Sequence, residues 1–278
     1  MISINNLTFN YRKQKKLFSG LDINLEAGNI IGLLGKNGAG KSTLLKIVAG
    51  SLFPKKGDVT VNEFKPSDRN PNYLASIYFV PEEFSFPPVS ISLFIRASAS
   101  LYPNFDYGKF KNIMSEFELV NSMKLNKLSH GQRKKFLIAF ALGTNCKLLL
   151  LDEPTNGLDI PSKSLFRKIL VSSVTKDQLV IISTHQVKDI ENIIDRIVLV
   201  DEGKLVFQHD TWKITKKYQF KTLSSIENTK SLIYHEKCPG GYRTITMADN
   251  GEETDIDIEL LFNAVINKAR LNFTDHGA

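Results

Sequence analysis

Eight residues, Gly35-Lys36-Asn37-Gly38-Ala39-Gly40-Lys41-Ser42, follow the pattern G-x-x-x-x-G-K-[ST], and each residue type in it has a physical task. Glycines let the backbone wrap closely enough for N–H groups to cradle a diphosphate, and the start of a helix favours the anion. Lys41 neutralises charge at the β and γ positions, and Ser42 offers a hydroxyl to Mg²⁺. A second acidic feature follows later, where the apolar run Leu148 to Leu151 ends in Asp152-Glu153. Two acids at the end of a buried strand are costly unless a cation meets them, so Asp152 is expected to hold Mg²⁺, directly or through water. Glu153, on the other side of the strand, is placed to orient or deprotonate an attacking water.

Two further features have competing readings. His185 closes the apolar run Leu179 to Thr184, which brings it to the same strand edge as the acids, yet a lone histidine there is more often a satisfied edge residue. His130, His209, His235 and His276 form no metal-ligand spacing. Ser129-His130-Gly131-Gln132 reads as a capping box, S-x-x-Q. The helix it opens carries Arg133, Lys134 and Lys135 in its first turn, where the macrodipole disfavours cations, and an anion docking on that helix start would explain them.

These residues need a scaffold, and the chain supplies its signals. Leu7, Phe9 and Tyr11 share one face of a strand, and Leu21, Ile23 and Leu25 share a face of a second, which predicts an antiparallel pair. Ile30 to Leu34 predicts a strand and Ser42 to Ala49 a helix, so the phosphate loop lies between strand and helix as its pattern requires. Prolines and aromatics break the pattern from Pro81 to Pro103, and Phe105 to Ala141 reads as mostly helical. The continuous apolar runs Leu148 to Leu151 and Leu179 to Ile182 predict parallel strands with a helix between them. A helix over Val187 to Ile194 and a strand over Ile197 to Val200 follow. From about Val206 the chain reads as an α+β appendage with turns at Cys238-Pro239-Gly240-Gly241 and Asn250-Gly251 and a helix over Ile258 to Ala269.

Composition removes whole classes. The chain has 278 residues, 42% of them hydrophobic, and no apolar run approaches the roughly 18 residues of a membrane helix. Two cysteines, Cys146 and Cys238, make no disulfide framework and no C-x-x-C pair. Met1-Ile2-Ser3-Ile4-Asn5-Asn6 lacks the cationic start and apolar block of a secretion signal, so a reducing, cytosolic setting is expected. The net charge of +7 permits anionic partners, but the basic clusters lack the aromatic interleaving of an RNA-binding sheet.

Taken in order, Gly35 to Thr43, Leu128 to Gln132, Leu148 to Asp159 and His185 resemble the motifs of ABC transporter ATPase subunits, over about residues 1 to 205. The resemblance implies an α/β fold: a P-loop NTPase core with a mostly parallel sheet (1–85 and 142–205), an N-terminal antiparallel β-subdomain, an inserted helical subdomain (86–141) and a C-terminal appendage (206–278). It implies that ATP and Mg²⁺ bind at Gly35, Lys36, Asn37, Gly38, Ala39, Gly40, Lys41, Ser42 and Thr43, with Tyr11 stacked on adenine. For Tyr11 the end of a core-facing stripe is the other reading. Glu153 would be the general base and His185 would contact the γ-phosphate. Ser129, His130, Gly131 and Gln132 would meet the nucleotide held by a second ATPase subunit, head to tail, with Asp159 in the loop linking the two sites. Metal contacts would come from Ser42, Asp152 and Glu82. Partners would be that second subunit and a separate membrane-spanning transporter subunit, with no nucleic acid. The protein would sit peripherally on the cytoplasmic face of the membrane and be soluble when isolated.

Two positions depart from the family pattern. Glu82, in Phe79-Val80-Pro81-Glu82-Glu83, stands where the family usually has glutamine, and His130 replaces the first glycine of L-S-G-G-Q. The tail through Asp255 to Phe262 resembles exporter-type ATPases, which points to export. A soluble ABC ATPase outside transport and a weakly active nucleotide sensor are the alternatives. Phe84, Phe86 and Val89 either cover the helical subdomain's core or line a groove for the membrane subunit.

Overall fold

In a computed structural model of the chain, the described residues are 1–13, 15–227, 229, 231–248 and 254–271. The Asn250-Gly251 turn lies outside them. The strands are β1 (Ile2–Phe9), β2 (Phe18–Leu25), β3 (Asn29–Leu34), β4 (Lys56–Val61), β5 (Ile77–Val80), β6 (Leu148–Asp152), β7 (Leu179–Ser183), β8 (Arg196–Asp201), β9 (Lys204–Asp210), β10 (Tyr218–Leu223), β11 (Leu232–Cys238) and β12 (Gly241–Met247). The helices are α1 (Lys41–Val48), α2 (Pro71–Ser76), α3 (Ile91–Ser98), α4 (Tyr107–Glu116), α5 (His130–Gly143), α6 (Ile160–Ser173), α7 (Thr211–Lys217) and α8 (Ile258–Ile266).

Among the described residues, six strands form the central sheet in the order β5-β6-β7-β3-β8-β9. All its neighbours are parallel except β8 and β9. Every residue of β6 and β7 is buried, because both faces of a parallel sheet are covered. Alternation divides those side chains between two cores. Leu149, Leu151, Val180 and Ile182 face the helical insertion and the appendage, whereas Leu148, Leu150, Leu179 and Ile181 face α1 and the antiparallel sheet β2-β1-β4.

The expected antiparallel pair is β1 with β2. A bulge at Asn5 and Asn6, with Asn6 at φ 51°, shifts the register so that Ile2, Ile4, Leu7 and Phe9 all point inward. The strand ends at Phe9, so Tyr11 lies beyond it and is 38% exposed.

Several expectations are corrected. The stretch from Pro81 to Pro103 contains α3, whose start is capped by the Ser90 hydroxyl accepting from Leu93 N; Pro87 and Pro88 lie before that cap and Pro103 beyond the helix. Phe105 to Ala141 is two helices, α4 and α5, joined by an irregular segment after Glu118 turns to φ 58°. Val187 to Ile194 opens with a 3-10 turn over Val187–Asp189 instead of an α-helix, although Ile190 and Ile194 are buried as their spacing suggests. Finally, β9 completes the central sheet, so the boundary expected between 205 and 206 falls inside a strand. The chain beyond it comprises α7, the antiparallel sheet β10-β12-β11 and α8, whose Ile258, Leu260, Leu261 and Ala264 are buried against the core.

The helical insertion packs on an aromatic cluster in which Phe94, Phe136 and Phe140 meet mostly edge to face. Cys146, 3% exposed, lies below it, and burial pushes its thiol up to about 12. The folded state therefore holds the protonated thiol, and this contribution to stability is lost as pH rises above the ordinary thiol range. In the native protein at pH 8, iodoacetamide should label Cys238 and spare Cys146 until denaturant is added. Mass spectrometry of the alkylated peptides reads this directly, and rapid native labelling of Cys146 would contradict the packing.

Candidate active site

The phosphate loop spans the turn from β3 into α1. Gly40 takes φ 102°, and a Cβ there would come within 2.6 Å of the Phe18 ring, so only glycine lets β2 pack beneath the loop. The first turn of α1 has no side-chain cap, which leaves its backbone N–H groups for a ligand. Lys41 folds back on the loop, its Nζ donating to Gly35 O at 2.8 Å and Lys36 O at 3.3 Å. Burial pushes the Lys41 ammonium below the ordinary lysine range, opposed by the attraction of Glu153, Asp152 and Glu82.

Asp152 closes β6 and Glu153 follows it, and the two are 2% and 5% exposed. Asp152 Oδ1 accepts from Ser42 Oγ at 3.0 Å and from Ser183 Oγ. Glu153 sits at φ 46°, left-handed backbone that costs a glutamate about 1–2 kcal/mol. Its carboxylate is held from the next strand: Thr184 Oγ1 donates to Oε2 at 2.9 Å, and His185 N donates to Oε1 at 3.0 Å. His185 Nδ1 also lies 2.7 Å from Oε1, while the His185 side chain is 43% exposed. A ring whose Nδ1 is tied to a carboxylate turns Nε2 toward whatever occupies the cleft.

Tyr11, Lys41, Ser42, Thr43, Glu82, Glu153 and His185 border one cleft of about 690 Å³, rimmed by Lys15 and Lys16. The Tyr11 hydroxyl is 2.9 Å from Thr43 Oγ1 and its ring meets Phe9 edge-on. The Glu82 carboxylate accepts from Asn156 Nδ2 at 3.2 Å. Lys36 Nζ lies 4.0 Å from Asp201 Oδ1. A second cleft, of about 620 Å³, shares Asn37 and His185 with the first and is closed by Glu259, Phe262 and Asn263 of α8.

Ser129 to Gln132 do not border the 690 Å³ cleft. Their capping box forms as expected, with Gln132 N donating to Ser129 Oγ at 3.2 Å and Ser129 N to Gln132 Oε1 at 2.9 Å. His130 stacks on Phe84 and lies over Gly157, where any Cβ would meet its ring at 2.4 Å. Asp159 caps α6, accepting from Ser162 N at 2.9 Å, and Ser162's hydrogen bonds hold its carboxyl below the ordinary range. The three cations at the start of α5 do not converge on one anion. Arg133 donates to Leu128 O and Asn126 O, Lys134 to Pro81 O and Glu82 O, and Lys135 lies over the Phe117 ring. They satisfy carbonyls and rings of neighbouring loops, a demand that local sequence does not display.

Sequence reasoning gave no separate role to Ser183, Thr184 or Asn156, and it read Lys134 as part of an anion-docking helix start, whereas its ammonium meets the carbonyls of Pro81 and Glu82. The first two were within reach: Asp152 and Ser183 are register partners at the ends of adjacent parallel strands, so polar residues there must face one another. The donor set also fits magnesium. Ser42 and Asp152 are hard oxygen donors, and neither buried acid has a Lys or Arg partner among the described ion pairs. No three His, Cys, Asp or Glu converge among the described residues, so the remaining ligands would be nucleotide and water oxygens.

The family model described as "ABC transporter" matches residues 18–156. The molybdate import ATP-binding protein MolC of Haemophilus influenzae is 32% identical over 218 residues, covering 74% of this chain and 81% of its own. The SkfA peptide export ATP-binding protein SkfE of Bacillus subtilis is 29% identical, covering 74% and 87%. In fold the chain resembles a dimeric ATP-binding cassette in a post-hydrolysis state with ADP and Pi, at TM-score 0.65 and 24% identity, covering 76% and 98%. With a phosphate loop, a buried acid pair and a strand-end histidine around one cleft, the chain belongs to the ABC transporter family as one of its ATP-binding, ATP-hydrolysing subunits.

Proposed function

We propose that two such subunits close head to tail on two Mg-ATP molecules and thereby drive a separate membrane-spanning subunit. The observation that carries this is the Glu153 carboxylate, buried at the cleft and held by Thr184 and by both the backbone and ring of His185. So held, it presents a fixed acceptor for the proton of the attacking water, and His185 reaches the γ-phosphate through its other nitrogen. Ser42 and Asp152 would hold Mg²⁺, with Glu82 placed to reach it through water, and the ion when bound would supply positive charge beside the phosphates. Tyr11 offers a ring to adenine at the cleft's rim.

Pairing is supported by the signature residues. Ser129, His130, Gly131 and Gln132 lie outside their own chain's cleft, as residues serving a second copy's nucleotide would, and Asp159 ends the loop that follows the acids, whose Gly157 lies against His130. Attachment to the cytoplasmic face of a membrane then comes from the partner, since among the described residues no helix is long and apolar enough to cross one. The likeness to SkfE supports export, and the likeness to MolC supports the reverse. Transport measured in inside-out vesicles, with the partner present and ATP added outside on the ATPase side, separates the two: export should fill the vesicles with cargo, and import should empty preloaded ones.

Three substitutions test the site. Lys41→Ala should abolish ATP binding in a calorimetric titration, because the β and γ charges lose their ammonium. Glu153→Gln should still bind Mg-ATP but turn over about 100-fold or more slowly, and it should elute as a dimer with Mg-ATP. A Glu153→Gln protein with normal turnover would overturn the assignment of the base. Ser183→Ala removes one donor to Asp152 and should weaken Mg²⁺-dependent nucleotide binding about three- to tenfold; unchanged Mg²⁺ dependence would mean that Asp152 does not hold the metal.

A further inference from the structure

Lys134 is the fifth residue of α5, and none of its surface reaches solvent. A buried ammonium is costly, and it persists only where donors find acceptors. No carboxylate stands within ion-pair distance of it among the described residues. Its partners all belong to one short segment: Nζ lies 3.2 Å from Pro81 O, 3.2 Å from Glu82 O and 5.1 Å from the centre of the Phe84 ring. Burial lowers the ammonium's pKa, opposed by the attraction of Glu82, Asp152 and Glu153. A methionine would fill the same space without that cost, so the two hydrogen bonds are what the lysine adds.

The segment it holds is the one that carries Glu82 to the cleft. Contacts from there close a ring. Glu82's carboxylate accepts from Asn156, and Gly157 lies beneath His130. His130 stacks on Phe84 at 5.7 Å, and Phe84 lies under the Lys134 ammonium. The helix that begins with the signature, the loop bearing Glu82 and the loop after Glu153 are thus tied at three points, and Lys134 is the tie made to backbone.

We propose that Lys134 is a positioning residue for Glu82, fixing the backbone of residues 81 and 82 to the signature helix so that a shift of α5 moves the Glu82 carboxylate in the cleft. This rests on the reading of Glu82 as a residue that acts on the bound metal and nucleotide. A shift of α5 when a second subunit engages Ser129 to Gln132 is then transmitted to the metal side of the same chain's own site.

The test is a double-mutant cycle on full-length protein, with ATP turnover, Mg²⁺ dependence and thermal unfolding measured for each variant. Lys134→Met should lower kcat about tenfold and change KM for ATP less than about threefold. In a Glu82→Ala background the same substitution should change kcat by less than about twofold, because the carboxylate it positions is gone. Lys134→Gln, which keeps N–H donors without a charge to bury, should retain more of kcat than Lys134→Met and serves if Lys134→Met unfolds. Hydrogen exchange over residues 82–86 should quicken in Lys134→Met, a change that lost packing under α5 alone would spread along the helix. Equal losses in both backgrounds, or a folded Lys134→Met with normal kcat, would overturn the positioning role alone. Normal kcat and Mg²⁺ dependence in Glu82→Ala would overturn the reading of Glu82 and the positioning role with it.

Discussion

Two carboxylates are buried side by side at the end of β6, and the rest of the molecule is arranged around that demand. An unpaired buried charge is among the most expensive features a fold can hold, and here no Lys or Arg is spent on either acid among the described ion pairs. The neighbours supply hydroxyls, an amide and an imidazole instead: Ser42 and Ser183 for Asp152, Thr184 and His185 for Glu153. Ser183, Thr184 and His185 come from the carboxyl end of β7 and the turn after it, and Ser42 from the start of α1 beyond β3, because parallel strands deliver their ends to one edge. Hydroxyls stabilise the charge without neutralising it, so the site keeps an unmet attraction for a cation.

That edge is held in place by two cores, one on each face of the sheet. The face with α1 and β2-β1-β4 supports the phosphate loop, with Phe18 packed beneath Gly40. The opposite face carries the helical insertion, whose aromatic cluster joins α3, α4 and α5. Phe84 and Phe86 belong to this second core, in contact with His130 and with Phe94 and Phe136. Their packing favours a structural role over an exposed groove, and it anchors the loop that carries Glu82.

The departures from the family pattern acquire a physical meaning in this setting. A glycine at position 130 would leave Phe84 without its stacked ring, so His130 exchanges close approach at the helix start for a contact with the loop beside the cleft. The appendage also reaches the site. α8 closes the second cleft beside His185, and Glu259 lies 3.8 Å from Lys188 just beyond that histidine.

The phosphate loop, the acid pair, the capping box and the parallel strands were legible in sequence because each is a local pattern: glycine spacing, an apolar run, a hydroxyl three residues before an amide. α3 was hidden because aromatic and proline residues before Ser90 mask its start, and the 3-10 turn at Val187 was misread because its apolar spacing serves packing in either conformation. Strand β9 was assigned to the wrong unit because alternation does not reveal which sheet a strand joins. Sequence alone therefore placed the phosphate loop between strand and helix and brought the acid pair and His185 to the ends of neighbouring strands. Only the tertiary structure decided that Ser183 and Thr184 support the acids, that Asn156 meets Glu82 and that Lys134 reaches back 52 residues to the carbonyl of Glu82. Those contacts join distant segments, and the register and packing that create them exist only once both cores have closed on the sheet.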